Sequence, residues 1–400
     1  MSRLRIVLLT PNYRPESNAG AQRLTSLAEH LAAEGHQVVA VTSQPHHPQN
    51  RIYEGYEVRS PHVDHVAGVK VIRLRPWLVP KDSLPLRMFA EALFTLQALT
   101  HLLRAPADVI MASSPYMFLG PVGLFAARLR GLKFVWDVRD LTWLYPKAAG
   151  KRTFGIDVLL DCLMRFTAAR SDALTTATEG LFSYFDSRPS VAACIPNGVN
   201  DDWLDRLTSL PAPPLDEPPL VSYAGLFGYN HGVSTIVEAA EFVPEARFLL
   251  VGDGPERQAL MDLVDSRGLT NVDFGGYLDQ ERLQEVYRRS SVLVSHVRAN
   301  PIFLWTQPAK VWEYMASGRP VVHAGEGEVL PIIEDHHIGL VVPPEQPAAL
   351  AAGIRRVLDD RRLAQELGAN ARAFVSENRR RSRLNDRFVK VLERVSRGRG

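Results

Sequence analysis

The sequence predicts an α/β protein of two doubly wound parallel-sheet domains, on three observations. Short β-branched runs alternate with longer helical patterns from the first residues, the signature of parallel strands wrapped by helices. Five prolines crowd positions 211–219, a density that neither strand nor helix accommodates, and the alternation restarts directly behind them. The length of 400 residues exceeds what one hydrophobic core normally supports.

In the first half, strands are expected over 5–10, 37–42, 69–73, 109–112, 133–137, 173–176 and 193–195, with helices in the gaps. The helix over 21–34 is typical: Leu24, Leu27, Ala28 and Leu31 share one face, and Gly35 ends it. Second-half strands are expected over 220–224, 247–251, 272–275, 292–295, 320–323 and 339–342. The domains then read as 1–205, a Pro-rich linker over 206–219, 220–375, and a basic helix over 376–400 returning to the first domain.

Composition narrows the function. Apolar residues make up 46%, charged residues 22% and aromatic residues 8%, without the apolar depletion of a disordered chain. A net charge of +2 gives no field that would make nucleic acid the main partner. Cys162 and Cys194 have no ligand-like spacing, which argues against a disulfide framework or zinc site and fits a reducing cytoplasm. The apolar run 6–9 is too short for a signal peptide. The uncharged stretch 109–127 has the length of a membrane span, but Ser113, Ser114, Pro115, Gly120, Pro121 and Gly123 interrupt it, so strand, turn and buried helix is the better reading.

Three segments are able to carry chemistry. The loop 11–23 feeds a helix N-terminus, whose unpaired N–H groups suit an anion, and Gly20 lets backbone approach a ligand; an ordinary βα turn is the alternative. The run Val251-Gly252-Asp253-Gly254-Pro255-Glu256-Arg257 puts a Gly-x-Gly after a strand. A dinucleotide fingerprint needs a small residue where Arg257 stands, so Gly252 fits a tight turn beneath a nucleotide instead. In the segment 306–322, Thr306 is expected to cap a helix with Pro308 in its first turn, and Lys310, Glu313, Tyr314 and Ser317 then share a face. A lysine at the positive end of a helix suits a diphosphate, and a carboxylate one turn later accepts both hydroxyl hydrogens of a ribose. The plain alternative is a solvated Lys/Glu pair.

A family resemblance rests on several of these runs. Leu-x-x-x-Gly-His-Gln-Val at 31–38, Ile-Pro-Asn-Gly-Val at 195–199, Val-Gly-Asp-Gly-Pro at 251–255, Glu-Tyr-Met-Ala-Ser-Gly-Arg-Pro-Val-Val at 313–322 and Gly-Leu-Val-Val-Pro-Pro at 339–344 occur in order over nearly the whole chain. Together they resemble the retaining family-4 glycosyltransferases, whose GT-B fold sets two Rossmann-like domains across a cleft. Val138-Arg139-Asp140-Leu141, with Ser113-Ser114-Pro115 before it, resembles the branch that builds capsule, O-antigen and exopolysaccharide repeats.

The resemblance implies transfer of a sugar from a nucleotide diphosphate sugar, UDP ahead of GDP, to a glycan, lipid-linked or small-molecule acceptor. Retention by front-face attack and no metal ion are implied too; the chain has no Asp-x-Asp pair at the diphosphate. Glu313 matches the ribose-holding glutamate of the family, whose partner glutamate is replaced here by Trp305. Gly20, Gly225 and Gly252 fall at donor positions. Leu226 and His231 stand where the family has its diphosphate-gripping arginine and lysine, which leaves Lys310, helix N-termini and a protonated His231 to stabilise the leaving group. Asp140 matches the residue facing the reacting carbon and acceptor, and His46, His47 and Arg139 fall on the acceptor side.

Trp305, Leu226 and His231 keep two rivals open: a nucleotide-sugar epimerase or hydrolase, and a non-catalytic sugar-nucleotide-binding protein. Peripheral contact at the inner face of the membrane is suggested by the run 77–81 with Arg87, Met88, Phe89 and Leu93 nearby; a buried amphipathic helix is the alternative.

Overall fold

The structure, a computed structural model, describes residues 3–47, 50–57, 60–80, 83–148, 150, 152–211 and 218–397. It divides into two compact units, 1–196 with 381–400, and 197–380. Residues 212–217 of the Pro-rich segment, with two of its five prolines, lie outside the described residues, as does Lys81.

The first unit holds β1 (Arg5–Leu9), β2 (Gln37–Ser43), β3 (His62–Val66), β4 (Val69–Leu74), β5 (Val109–Ser113), β6 (Lys133–Val138), β7 (Ala173–Thr176) and β8 (Val191–Cys194). Their order is β3-β4-β2-β1-β5-β6-β7-β8, parallel except for β3 against β4. The second unit holds β9 (Leu220–Ala224), β10 (Arg247–Val251), β11 (Val272–Gly276), β12 (Val292–His296), β13 (Val321–Ala324) and β14 (Leu340–Val342), all parallel in the order β11-β10-β9-β12-β13-β14. Both sheets are doubly wound, as the alternating pattern predicts.

In each sheet the first strand is central and the chain winds first to one side and then to the other. The connections therefore part at β1/β5 and at β9/β12, opening a crevice at the carboxyl ends of those strands, the usual ligand position in such sheets. Right-handed crossovers put the helices Leu84–Arg104, Leu119–Arg130 and Ile156–Arg170 on one face of the first sheet, where they pack side by side. The helices Ala19–Ala33 and Arg381–Arg397 pack together on the other, sharing a core with β1 and β2 through Leu24, Leu27, Leu384 and Phe388.

Two sequence expectations need correction. β3 is an additional strand: its five residues alternate half-buried and exposed, too weak a pattern to stand out, and Ala67 and Gly68 turn it onto β4 with φ of 49° and 79°, a two-residue hairpin turn. The boundaries also move. The chain passes between units at 196/197 and 380/381, where the sequence suggested 205 and 375. The helix Asp201–Thr208 is responsible, because Trp203, Leu204 and Leu207 bury against Tyr287, Val311 and Trp312 of the second unit. The basic C-terminal helix starts only at Arg381, behind a separate helix, Arg361–Asn378.

The middle of the first sheet is fixed by a buried ion pair. Arg23 donates to both oxygens of Asp137, at 2.6 and 2.7 Å, with side chains 3% and 0% exposed. Ser113 and Thr175 donate to the same carboxylate at 2.6 and 2.7 Å. Burial pushes the Asp137 carboxyl up, but Arg23, Arg139 and the hydroxyls outweigh it and hold it below the usual range. Its contribution to stability is therefore present above the unfolded-state value, near 4, and is lost as pH falls through the lowered folded value. Arg23→Ala leaves the carboxylate buried without its partner and is expected to cost about 3–5 kcal/mol in urea-induced unfolding, with the loss shrinking toward acid pH.

Candidate functional site

The helix Ala309–Ala316 follows a short turn, Pro301–Trp305, and is itself anchored at one point. The Tyr314 hydroxyl accepts from the Ala224 amide at 2.6 Å and donates to the Ala224 carbonyl at 2.7 Å, so the helix is tied to the last residue of β9. The expectation that Thr306 caps this helix is corrected. Thr306 closes the Pro301–Trp305 turn, and Pro308, with ψ of 122°, is the cap. Gly318, at φ of 70°, follows the helix end.

Lys310 therefore sits in the first turn, at the carboxyl end of β9. Its ammonium donates to the Tyr223 hydroxyl at 2.5 Å and lies 4.1 Å from the centre of the same ring. A Cβ at Gly225 would collide with that ammonium, and one at Gly252 would collide with the Gly225 carbonyl. The two predicted glycines thus let the loops after β9 and β10 close beneath the lysine. No salt bridge holds Lys310 among the described residues, and burial pushes its ammonium down to about 7.

Three histidines act on the same point. Gly232 caps the helix Val233–Glu241 without a side-chain acceptor, and a Cβ there would meet the His296 ring at 2.5 Å. His296 Nε2 accepts from the Glu345 amide at 3.0 Å, so its Nδ1, 3.1 Å from the His231 carbonyl, carries the proton and donates. Burial, chiefly, pushes His296 down to about 4, against the His231 carbonyl and Glu345 and with Arg298 and Lys310, and burial with His296 and Lys310 pushes His323 to about 3. His231 also lies well below the usual histidine value, by burial first and Lys310 next. The expected protonated His231 is therefore corrected: this ring is neutral at pH 7. Both ring nitrogens of His323 and Nδ1 of His231 are buried without a hydrogen-bond partner among the described residues.

The other donor-side positions separate. Glu313 lies partly buried one turn beyond Lys310, near enough to add to the burial that raises the Tyr287 and Tyr314 hydroxyls. Leu226 is exposed, and its carbonyl accepts from Tyr223 at 2.9 Å. Trp305 ends the turn before the helix, and Asn197 donates to the Gln307 carbonyl at 3.2 Å. Gly20 is in the first unit, exposed in the first turn of its helix, where Asn18 accepts from the Ala21 amide at 2.9 Å.

At the carboxyl end of the first sheet, Glu16 is the organiser. It is 4% exposed and accepts the amides of His46 and His47 at 2.8 and 2.9 Å and the Asn12 side chain at 2.8 Å. The two histidines are thereby placed by their backbone on the loop after β2. Asp140 follows β6, half-buried; burial raises its carboxyl, against Arg139 and a hydrogen bond from Tyr145. Arg139 donates to the Ile195 carbonyl at 2.8 Å, its amide to Ser114 at 2.9 Å, and burial pushes its guanidinium down to about 10.

Residues 18–198 match the family described as Glycosyl transferase 4-like domain, and residues 209–374 match Glycosyl transferases group 1. The chain belongs to these glycosyltransferases. Over 382 residues, 89% of this chain and 92% of the relative, the enzyme is 25% identical to the putative colanic acid biosynthesis glycosyl transferase WcaI of Escherichia coli. Its fold is that of GT-B structures. Sucrose-phosphate synthase from Thermosynechococcus elongatus superposes with a TM-score of 0.77 at 22% identity, covering 98% of this chain and 99% of that one. Anabaena Alr3699/HepE in complex with UDP and glucose gives 0.72 at 16%, covering 98% and 100%. No helix of the glycosyltransferase is long and apolar enough, among the described residues, to cross a membrane.

Sequence reading of this glycosyltransferase missed Tyr223, His296, His323 and Glu345. Each histidine closes or nearly closes a strand at the crevice, and a polar residue ending an apolar strand was the available signal. Tyr314→Phe removes the bridge to Ala224 and leaves a buried carbonyl and amide short of a partner. It is expected to cost about 1–3 kcal/mol in thermal or urea unfolding and to weaken any ligand held by Lys310 in parallel.

Proposed function

We propose that this glycosyltransferase moves a sugar from a nucleotide diphosphate sugar, UDP ahead of GDP, onto an acceptor in cell-surface polysaccharide or glycoconjugate synthesis, with retention at the anomeric carbon. The observation that carries the reading is Lys310: a half-buried ammonium without a salt bridge among the described residues, at a sheet switch point, beside neutral histidines with unpartnered nitrogens and a helix N-terminus that no side chain caps. Such a place favours an anion that brings its own charge.

Breaking the anomeric C–O bond builds negative charge on the departing diphosphate and oxocarbenium character on the sugar. Lys310 and the amides of the Val233–Glu241 helix supply preorganised positive ends to the diphosphate, and the reading requires no metal ion. Glu313, one turn from Lys310, accepts both ribose hydroxyls. Asp140 provides negative charge on the acceptor side, with His46, His47 and Arg139 on neighbouring loops. Gly225 and Gly252 leave room for the pyrophosphate, and Gly20 for the approach of a ligand to the first helix. UDP is favoured because HepE, of the same fold, is held with UDP and glucose. The polysaccharide setting is favoured by the likeness to a colanic acid enzyme along most of the chain.

Lys310 makes the reading testable by pH. Its folded-state value near 7 lies below the unfolded 10.5, so between them the unfolded chain binds the extra proton and the stability of the free protein rises with pH. Ligand binding runs the opposite way: an anion needs the charged form, so affinity for UDP falls as pH rises through about 7. Isothermal titration with UDP should show that slope. Lys310→Met should flatten it and lower affinity by about 1.5–3 kcal/mol, and Glu313→Ala should lower it similarly without changing the slope. UDP release from a UDP-sugar that proceeds equally with and without acceptor would make the protein a hydrolase instead.

A further inference from the structure

Of the seventeen large apolar side chains exposed among the described residues, twelve fall between Trp77 and Phe166. That segment contributes the three helices Leu84–Arg104, Leu119–Arg130 and Ile156–Arg170, which pack side by side on one face of the first sheet. The outward side of such a layer is normally polar. Here Phe89 is 53% exposed, Leu129 65%, Leu159 71% and Phe154, just before the third helix, 87%. Trp77, itself exposed, packs edge-on against Phe89 with ring centres 5.9 Å apart, so the apolar surface continues onto the preceding loop.

The charge on this face is one-sided. The three helices carry six arginines against three acids; every acid is engaged within the protein, whereas of the arginines only Arg128, with Asp172, and Arg165, with Asp161 and Asp186, are held in salt bridges among the described residues. Glu91 is buried and accepts the Met117 amide at 3.0 Å; Asp157 takes Thr153 at 2.7 Å and Lys147 at 3.1 Å; Asp161 takes Arg165 at 2.9 Å and Trp143 at 3.1 Å. Arg87 and Arg152 are exposed and form no salt bridge among the described residues. At the edge of the face is an apolar groove of about 640 Å³, lined by Met88, Met117, Trp143, Ile156 and Leu160 among others. It borders the loop whose Tyr145 bonds Asp140.

We propose that this face docks on the surface of an anionic lipid bilayer. A broad apolar patch with surplus arginine matches the hydrocarbon boundary and anionic headgroups together. A second copy of the same face would set arginine against arginine, so charge complementarity selects lipid over self-association. Docking would leave the groove open to the hydrocarbon anchor of an acceptor beside the Asp140 loop. The inference rests on the first unit alone and does not depend on the donor assignment.

The test is flotation of the full chain with vesicles of phosphatidylcholine alone or mixed equally with phosphatidylglycerol, at low and at high salt. Wild type should float with the anionic vesicles at low salt and far less with the neutral ones. Arg87→Glu combined with Arg152→Glu should lower anionic-vesicle binding about tenfold or more. Phe89→Ser combined with Leu159→Ser should abolish flotation while keeping the wild-type unfolding temperature and UDP response, which shows that fold and donor site are intact. Wild type that floats with neither vesicle, or variants that float as well as wild type, would overturn the proposal. So would a solution dimer that the serine variant converts to monomer, since the face would then belong to a second copy.

Discussion

The second unit's site depends on one phenol. By accepting from the amide and donating to the carbonyl of Ala224, the Tyr314 hydroxyl satisfies both polar groups of a strand-end residue that would otherwise be buried and short of partners. The same two bonds fix the helix Ala309–Ala316 against β9. Lys310 is one turn earlier, so its ammonium is delivered over Tyr223 and against Gly225, the two residues that flank Ala224. Helix, strand end and glycine turn are thus three sides of a single constraint.

The electrostatics follow from that placement. A lysine brought to this depth loses hydration without gaining a salt bridge, which is why its ammonium is poised near neutrality. The surrounding histidines respond by staying neutral. His296 is locked into one tautomer between the His231 carbonyl and the Glu345 amide, and so cannot add a second charge. The site thus sets a lysine poised near neutrality among neutral histidines. This suits a group that arrives as an anion and leaves more negative than it came.

The first unit separates two neighbouring aspartates by the same logic. Asp137 points into the sheet and is consumed by Arg23, Ser113 and Thr175, a buried pair that fixes the register of helix, β5, β6 and β7. Asp140, three residues later, lies past the strand end, half-buried, with Tyr145 for company. Strand geometry decides which carboxylate is structural. The side chain inside the ladder must be neutralised by the protein, whereas the one beyond it is under no such constraint.

What the sequence determined by itself is periodic or punctuated. Apolar strand runs, the helix of Leu24, Leu27, Ala28 and Leu31, and glycines at strand ends are local consequences of backbone geometry, so two doubly wound sheets, the tight turn at Gly252 and the helix that carries Lys310 and Glu313 were legible. The tertiary structure decided what depends on partners distant in sequence. Arg23 looks like a surface arginine until Asp137 is placed beside it, 114 residues away. His231 reads as a candidate cation until burial and Lys310 hold it neutral. Thr306 reads as a helix cap until the Pro301–Trp305 turn claims it, and the helix Asp201–Thr208 reads as part of the first domain until its Trp203 finds Tyr287. Charge state and membership of a core are set by the whole surroundings of a side chain, and no local pattern encodes those surroundings.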